Sequence, residues 1–259
     1  MKVPLHLVRA RREQMAALLR ERGYLPVAEL CARFGISEAT ARRDLQSLAR
    51  EEKVTRTHGG ALGDYDRSFA SFAERKTRAA EGKERIARAA HGLIRPGQTV
   101  FFDAGTTLLA LARQVACQPV AGLKVITNSL PVAEALGNAG GVRIFLTGGE
   151  YLNRQAAFLG EVACATLKLW KFDAAFLGGE ALTPRGILNS HADLTRFQRM
   201  VMRRSGVTRF LIDRTKLGAE APALLVGWEA VSVLVSDVTQ PQLREAGIPL
   251  RRNHLVSVS

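Results

Sequence analysis

A glycine and two threonines follow the first short apolar run in the C-terminal three quarters of the chain, in the order Asp103-Ala104-Gly105-Thr106-Thr107. Gly105 allows the backbone to turn tightly. The threonine hydroxyls, with the free N–H groups of a following helix, are donors that suit a bound anion. The pattern therefore predicts a phosphate cradle, with an ordinary structural turn as the alternative.

Polar residues or glycines also end the later apolar runs. Asn128 follows one run, the pairs Gly148-Gly149 and Gly178-Gly179 follow two others, and Lys216 stands three residues after Asp213. A lysine neutralises a phosphate as a point charge. Each feature alone fits an ordinary turn, but five polar strand ends in one predicted sheet favour a ligand site.

Other chemistries have no motif in this chain. It has neither the dinucleotide-binding G-x-G-x-x-G nor the G-x-x-x-x-G-K-[ST] phosphate loop. Its three cysteines, Cys31, Cys117 and Cys164, are far apart, and no C-x-x-C pair occurs. We therefore expect no metal site, no cofactor and no disulfide framework.

The polar ends require a sheet that brings them together. Six runs rich in β-branched or aromatic residues alternate with helical stretches; they span residues 99–103, 124–128, 142–146, 173–178, 209–213 and 231–237. This alternation predicts a mostly parallel sheet covered by helices. Ligands of such sheets bind at the carboxyl ends of the strands.

The first 60 residues read as three helices. The periodicity predicts a helix over 6–22, and VAELCARF at 27–34 has apolar residues at i, i+3, i+4 and i+7. Gly35 and Ile36 predict a tight turn, and Ser37 can cap a third helix. A short helix, a turn and a second helix constitute a helix-turn-helix.

The third helix has two faces on a helical wheel. Ala41, Leu45 and Leu48 form the core face, and the opposite side carries Ala39, Arg43, Gln46 and Arg50, with Arg42 on the flank. Small residues permit close approach to DNA, and arginine can fork onto guanine or phosphate. A carboxylate would repel phosphate, so Asp44 is interpreted as structural, paired with a nearby arginine.

A small wing is predicted after this helix. Val54 to Thr57 reads as a short strand and Gly59-Gly60 as a turn, so that Arg56 and His58 would face DNA. The alternatives are a hydrogen-bonded structural histidine and, for the whole module, a small helical protein-binding domain.

The basic net charge of the chain indicates an anionic partner. The net charge is +13; residues 1–60 hold 12 basic and 7 acidic side chains, about twice the net charge density of the rest. A solvated basic surface is the alternative. The sequence has no apolar run of membrane-spanning length and no secretory signal, so we expect a cytoplasmic protein without a membrane partner.

FGISEATARRDLQSL followed by TRTHGGA closely resembles the N-terminal domain of the DeoR family of bacterial transcription regulators. The family often has a glycine before the wing, where this chain has Glu52-Lys53. Together the resemblance and the helical wheel predict these DNA-binding residues: Ser37, Ala39, Thr40, Arg42, Arg43, Gln46, Arg56 and His58.

DAGTT, TNS, TGG, AFLG and D-x-x-K-x-G are similar to the C-terminal effector domain of the same family. The resemblance implies a fold related to sugar-phosphate isomerases such as ribose-5-phosphate isomerase. It assigns effector contacts to Asp103, Gly105, Thr106, Thr107, Asn128, Gly148, Gly149 and Lys216. Where family members often carry a glutamate, this chain has Asp193; nearby His191 either contacts the ligand or has a capping or surface role.

The predicted organisation is α/β: a small winged helix-turn-helix over residues 1–61, a linker over 62–82, and a larger effector-sensing and oligomerisation domain over 83–259. The predicted function is a DNA-binding repressor of carbohydrate catabolism genes that a phosphorylated sugar releases from its double-stranded operator. We expect a homo-oligomer, a dimer or tetramer, and no enzyme activity. The alternatives are a sugar-phosphate isomerase fused to a DNA-binding domain, with Asp103 or Asp213 as base, and a regulator without an effector.

Overall fold

Two compact units make up the chain, Met1–Ala70 and Ser71–Ser259. The structure, a computed structural model, describes residues 4–22, 24–51, 54–56, 60–63, 70–137, 139–190 and 192–258. No helix in these described ranges has the length and apolar character needed to span a membrane.

The first unit packs three helices against a small sheet. Its elements are α1 (Leu5–Arg22), β1 (Tyr24–Pro26), α2 (Val27–Phe34), α3 (Glu38–Arg50), β2 (Val54–Arg56) and β3 (Gly60–Gly63). The central strand β3 pairs antiparallel with both β1 and β2. The predicted helices and the strand β2 are confirmed. Strand β1 was not predicted, because three residues that include a proline show no alternating pattern. Strand β3 was not predicted either: Gly60 was predicted as part of a turn but is the first residue of β3, which its pairing with β1 and β2 defines.

The core of the first unit lies between the helices. Its largest fully buried side chains are Met15, Leu19, Leu30, Leu45 and Leu48. These residues come from α1, α2 and α3 at helical spacing, so the apolar stripes meet in one cluster.

The second unit is built around a large sheet. Its helices are α4 (Phe72–Thr77), α5 (Ala80–His91), α6 (Thr106–Cys117), α7 (Leu130–Leu136), α8 (Gly160–Lys168), α9 (Ala192–Arg203) and α10 (Gln240–Glu245). Its strands are β4 (Thr99–Phe102), β5 (Lys124–Thr127), β6 (Arg143–Leu146), β7 (Glu150–Leu152), β8 (Ala157–Leu159), β9 (Phe172–Leu177), β10 (Ala181–Thr183), β11 (Gly186–Asn189), β12 (Ser205–Leu211), β13 (Ala223–Val226), β14 (Val233–Ser236) and β15 (Leu255–Ser257).

Seven of these strands form one parallel sheet in the order β15-β14-β12-β9-β4-β5-β6. From β4 the chain first adds strands on one side, β5 and β6, and then on the other, from β9 onward. The winding direction therefore reverses between β4 and β9. Such a reversal opens a crevice at the carboxyl ends of the two strands, where ligands of α/β sheets bind.

Both faces of the sheet are covered, and alternate residues of a strand enter different cores. In β4, Val100 and Phe102 pack among residues of α5, α6 and α7. Phe101 points to the opposite cluster, which includes Phe197 of α9 and Leu167 of α8. The period of two in a strand divides the β4 side chains between the two layers.

The predicted mostly parallel α/β sheet is confirmed, and all six predicted runs are strands of it. Three features were not predicted: the edge strand β15, the hairpin β7–β8, and the antiparallel sheet β10-β11-β13. These strands have three or four residues each, so tertiary pairing rather than local pattern defines them; β13 is entirely apolar but is too short to be distinguished from other apolar segments.

The predicted linker, residues 62–82, differs from the structure. Strand β3 extends to Gly63, and α4 and the start of α5 belong to the second unit. Helix α4 begins with a capping box, in which Ser71 and Glu74 satisfy each other's backbone N–H groups. This segment is therefore helical because of its local cap, although its polar composition predicted a connection.

Candidate functional site

The helix-turn-helix is formed by α2 and α3. Gly35 ends α2 in the left-handed conformation, with φ of 61°, and the Ile36 N–H donates to the Cys31 carbonyl at 3.2 Å. Ser37 then begins α3: its Oγ accepts the Thr40 N–H at 3.3 Å and lies 2.9 Å from the Thr40 hydroxyl. Ser37 and Thr40 thus stabilise the N-terminus that this motif presents to the major groove.

The exposed face of α3 agrees with the helical wheel. Ala41, Leu45 and Leu48 are buried. The predicted DNA-binding residues on this helix are exposed, except half-buried Thr40: Ser37, Ala39, Thr40, Arg42, Arg43 and Gln46. The Arg42 guanidinium donates to Glu38 at 2.7 Å. Arg43 has no ion pair among the described residues, so its guanidinium is available to a partner.

Asp44 has the structural role expected of it. It is 2% exposed, and its two carboxylate oxygens accept hydrogen bonds from the Arg11 and Arg12 side chains, each at 2.8 Å. Arg12 also donates to the Ser47 hydroxyl at 2.7 Å. This network ties α1 to the buried side of α3.

Asp44→Ala is expected to lower the free energy of unfolding of the first unit by about 1–3 kcal/mol, because two partly buried arginines lose their buried carboxylate partner. Both tryptophans, Trp170 and Trp228, belong to the second unit. A circular dichroism transition in urea without a change in tryptophan fluorescence therefore reports the first unit. The control Glu38→Ala breaks an exposed pair and should cost about 0.5 kcal/mol or less. Equal losses in both proteins would contradict the assignment.

The wing residues are only partly described. Arg56 lies in β2, opposite Ala61 of β3. Its side chain, together with His58 and Gly59, lies outside the described residues. Arg56 and His58 therefore stay predictions as DNA contacts.

In the second unit, the residues predicted to follow β4, β5 and β6 lie at the same edge of the sheet. Phe102 pairs with Thr127, and Thr127 pairs with Leu146. The residue after each, namely Asp103, Asn128 and Thr147, therefore stands at the carboxyl end of its strand. The strand register brings together these three of the five predicted polar ends, and the register of β9 against β4 adds Gly178 as a fourth.

Asp103 lies at the crevice between β4 and β9. It is 1% exposed, and its carboxylate accepts the Ala104 N–H at 2.8 Å, the Gly178 N–H at 3.2 Å and the Gln198 amide at 2.5 Å. Burial raises the pKa of Asp103 to about 6, although these three hydrogen bonds oppose the rise. Asn189 in turn donates to the Gln198 carbonyl oxygen. Asp103 therefore belongs to a buried polar network that joins β4, β9, β11 and α9.

The helix that follows Asp103 has an open N-terminus. Gly105 is its N-cap and offers no side chain to accept a backbone N–H. By contrast, Ser129 caps α7 with its own hydroxyl. Thr106 and Thr107 are 9% and 6% exposed, and they begin a helix of 12 residues. The uncapped N–H groups and the two hydroxyls match the predicted phosphate cradle.

Asn128 is completely buried, and neither atom of its side-chain amide has a hydrogen-bond partner. Leaving such groups unpaired costs about 1–3 kcal/mol each, so an orphaned amide at a strand end indicates a place for a ligand. The neighbouring polar residues have internal partners, since Thr127 Oγ1 accepts the Ser129 N–H at 3.0 Å.

The two glycines after β6 have a packing reason of their own. Gly148 and Gly149 have φ of 68° and 111°, conformations that favour glycine. A Cβ atom on Gly149 would lie 2.3 Å from the Leu159 carbonyl oxygen. The backbone conformation therefore explains why both residues are glycines, and no ligand is needed for that explanation. Their role in effector binding stays a prediction.

Lys216 is brought to the crevice by a bridge between Leu182 and Leu217. It is half-buried. Burial raises the pKa of Glu180, whose carboxylate accepts the Ser190 N–H at 2.8 Å, and the positive charges of Arg75 and Lys216 oppose that rise. Lys216 therefore lies within electrostatic reach of Glu180 and adds positive charge there.

A second cation, which is buried, lies near Lys216. Lys83 is 5% exposed and donates to the carbonyl oxygens of Arg75 and Arg78. Burial lowers the pKa of Lys83; the Asp213 carboxylate opposes this, and the charge of Lys216 adds to it. Lys83 thus holds the segment between α4 and α5 near Asp213 and Lys216.

Sequence reasoning missed six residues at this end of the sheet: Arg75, Lys83, Glu180, Asn189, Ser190 and Gln198. Gln198 is next to buried Phe197 in α9. A polar residue within this apolar part of the helix was the sequence signal that could have identified it as a site residue. Arg75 fell in the predicted linker, and Lys83 is the first residue of the predicted effector domain, before any of its predicted strands. His191 lies outside the described residues, and Asp193 is in the first turn of α9.

No group of three or more His, Cys, Asp or Glu side chains with metal-binding geometry occurs in the part of the chain that the structure describes.

Comparison with known proteins adds two matches to family models. Residues 11–65 match the DeoR-like helix-turn-helix domain, and residues 78–238 match the DeoR C terminal sensor domain. Together these ranges include all the predicted DNA-binding and effector-binding residues.

Similar curated proteins cover most of the chain. The lactose phosphotransferase system repressor of Lactococcus lactis subsp. lactis is 34% identical over 80% of this chain and 82% of its own length. The glycerol-3-phosphate regulon repressor of Escherichia coli K12 is 31% identical over 86% and 88%.

Among solved structures, a ribose 5-phosphate isomerase A from Methanocaldococcus jannaschii matches with a TM-score of 0.38 and 14% identity, over 52% of this chain and 53% of that chain. The strand order and the family models, rather than this likeness, establish the fold class.

Proposed function

Because this chain belongs to the DeoR family of transcriptional regulators, we propose that it is a DNA-binding repressor of carbohydrate catabolism genes, released from its operator by a phosphorylated sugar or sugar derivative. The observation that carries this proposal is the carboxyl edge of the sheet. At this edge, the uncapped start of α6 and the cation Lys216 can bind a phosphate. The orphaned amide of Asn128 can bind hydroxyl groups. A regulator of this kind acts in the cytoplasm, on double-stranded DNA.

The DNA contact is assigned to the exposed face of α3. The N-terminal part of a recognition helix enters the major groove, where Arg43 can donate two hydrogen bonds to a guanine edge. We assign phosphate contacts near the start of the helix to Ser37, Thr40 and Arg42. Arg56 and His58 of the wing complete the proposed interface.

Arg43→Ala is expected to weaken operator binding by about 1–3 kcal/mol, because one bidentate contact to a base is lost. Fluorescence anisotropy with a labelled operator at fixed salt measures it. Arg43→Lys is the matched control, since lysine keeps the charge but not the planar fork. If the lysine protein discriminates sequences as the parent does, Arg43 contacts a phosphate and the base assignment is wrong.

In the effector site, the phosphate is assigned to Gly105, Thr106 and Thr107, with Lys216 as counter-charge. The sugar hydroxyls are assigned to Asn128 and Asp103, and the backbone of Gly148 and Gly149 lines the same edge. One relative is named for glycerol 3-phosphate, a small phosphorylated polyol, which supports this class of ligand. An effector that binds one conformation more tightly shifts the population away from the DNA-bound form.

We favour a sensor over an enzyme, because both candidate bases have structural partners. Asp103 accepts three hydrogen bonds, and Asp213 Oδ1 accepts the Thr215 N–H at 3.0 Å and its hydroxyl at 2.5 Å. Named relatives are repressors. Isomerisation of pentose or hexose phosphates by the purified protein would overturn this choice.

A second copy of the chain is the partner expected for symmetric operator reading, since two half-sites are bound together. The edge strand β6 and the adjacent α8 supply a contact surface of exposed apolar side chains: Leu146, Val162 and Leu169, exposed by 38%, 61% and 81%. Trp170 packs against Phe145 beside them, with ring centroids 4.7 Å apart and ring planes tilted by 55°.

Replacing both Val162 and Leu169 with glutamate is expected to shift the protein from oligomer to monomer at micromolar concentration, because charges are buried in an apolar contact. Sedimentation velocity measures the association. The control Arg244→Glu changes an exposed charge on α10, which follows β14 toward the opposite edge of the sheet. An unchanged sedimentation coefficient in the double variant would place the interface on another face.

The experiment that tests the function is thermal unfolding against phosphorylated and unphosphorylated sugars, repeated with operator release. A ligand at 100 times its dissociation constant adds about 2.7 kcal/mol of stability. The proposal requires one phosphosugar, but not its unphosphorylated form, both to stabilise the protein and to release the operator. If no compound does either, the second unit has another role.

A further inference from the structure

Gln155 is a buried glutamine outside the predicted effector residues. It is 5% exposed, and both its amide nitrogen and its amide oxygen lack hydrogen-bond partners. Among the buried side chains that the structure describes, Asn128 and Gln155 are the two amides in which both polar atoms are orphaned. By contrast, Gln240 has one orphaned atom, because its amide nitrogen donates to the Leu250 carbonyl at 3.0 Å.

Backbone contacts bring the segments that carry these two amides to one junction of the fold. Gln155 lies in the turn between β7 and β8, where the Ala156 N–H donates to the Asn153 carbonyl at 3.2 Å. Strand β8 then docks on the end of β5: the Phe158 N–H donates to the Asn128 carbonyl at 2.7 Å. Ala157 also forms an antiparallel bridge with Ser129, the residue after Asn128.

The same turn is held by the segment that carries Arg75. The Phe72 N–H, at the start of α4, donates to the Arg154 carbonyl at 2.8 Å. Arg75 lies one helical turn later, and its charge opposes the raised pKa of Glu180 at the crevice. Gln155 is therefore tied to the candidate site from two sides, by the end of β5 and by α4.

We propose that Gln155, together with Asn128, binds hydroxyl groups of the effector and determines which phosphosugar is recognised. This inference rests on the proposed function. A neutral amide offers one donor group and one acceptor, and a hydroxyl both donates and accepts. Two such amides match a polyol and leave the phosphate to the cations and to the start of α6.

A site built to hydrogen-bond a hydroxyl rejects analogues that lack it, because its own buried polar groups then remain unpaired. The same chemistry predicts that an apolar residue of similar shape at 155 removes the selectivity. It should also leave the ligand-free protein at least as stable as the parent, because a buried unpaired amide is eliminated.

The test is isothermal titration calorimetry on the full chain with inorganic phosphate and with sugar phosphates that differ from one another at a single hydroxyl. Gln155→Met keeps the length of the side chain and removes both hydrogen-bonding atoms. We expect its affinity for the preferred sugar phosphate to fall about 5- to 30-fold, as for one or two neutral hydrogen bonds, with unchanged affinity for inorganic phosphate. The ranking among sugar phosphates should flatten.

Gln118→Met, at an exposed glutamine after α6, is the matched control and should behave like the parent. In a double-mutant cycle with Asn128→Leu, the two substitutions should be non-additive, because both amides contact one ligand. Unchanged ranking and affinity in Gln155→Met, with the parent binding normally, would overturn this inference alone. If the parent binds no sugar phosphate, the proposed function fails and the inference fails with it.

Discussion

The Lys216→Ala protein is expected to bind its operator like the parent but to need about 10- to 150-fold more phosphosugar for release, because a hydrogen bond to a charged group is worth about 1.5–3 kcal/mol. Lys216 belongs to the second unit, at the carboxyl edge of the sheet, so its loss should spare the contacts that α3 makes with DNA. Anisotropy of labelled operator, titrated with effector, measures both quantities on one sample.

Arg214→Ala is the matched control for this experiment. Arg214 is a cation two residues away, and its guanidinium lies 3.4 Å from the Asp237 carboxylate instead of facing Glu180. We expect its effector response to stay near that of the parent. If both variants lose the response equally, net charge rather than a specific contact is responsible, and the phosphate site has been placed wrongly.

The second large effect concerns Asp103 and pH. Its pKa is raised from 3.8 to about 6 in the folded protein, so between these values the unfolded chain has released a proton that the folded chain retains. Stability from this residue is therefore complete below pH 3.8 and declines as the pH rises to about 6. The decline amounts to about 3 kcal/mol and levels off at higher pH.

Asp103→Asn should remove this decline, because asparagine does not titrate. Relative to the parent, the variant should be about 2 kcal/mol more stable at pH 7 than at pH 4, whatever its absolute stability, since part of the decline has already occurred at pH 4. Urea unfolding followed by the fluorescence of Trp170 and Trp228 reports this unit, and other titrating groups cancel in the difference. Parallel stability profiles for the two proteins would show that Asp103 is not the titrating group.

Local patterns in the sequence were sufficient for the helix-turn-helix. The apolar period in VAELCARF, the serine cap at position 37 and the faces of α3 depend on residues within one or two helical turns of each other. The same holds for the six apolar runs, since burial on both faces of a parallel strand imposes a continuous apolar pattern. These features, and the strand ends that carry Asp103 and Asn128, were determined by the sequence alone.

Only the tertiary structure decided the partners of the buried polar groups. Asp44 meets Arg11 and Arg12 from more than 30 positions away, and Asp103 meets Gln198 from 95 positions away. No periodicity encodes such pairs, because they arise when separate elements pack and unpaired polar groups are excluded.

The same reason applies to the effector site as a whole. The reversal of strand order between β4 and β9 makes Asp103 a crevice residue, and the docking of β8 on β5 brings Gln155 to Asn128. Spacing along the chain indicated which strand ends were polar. The assembled sheet decided which of them share a site and which buried amides are left without partners.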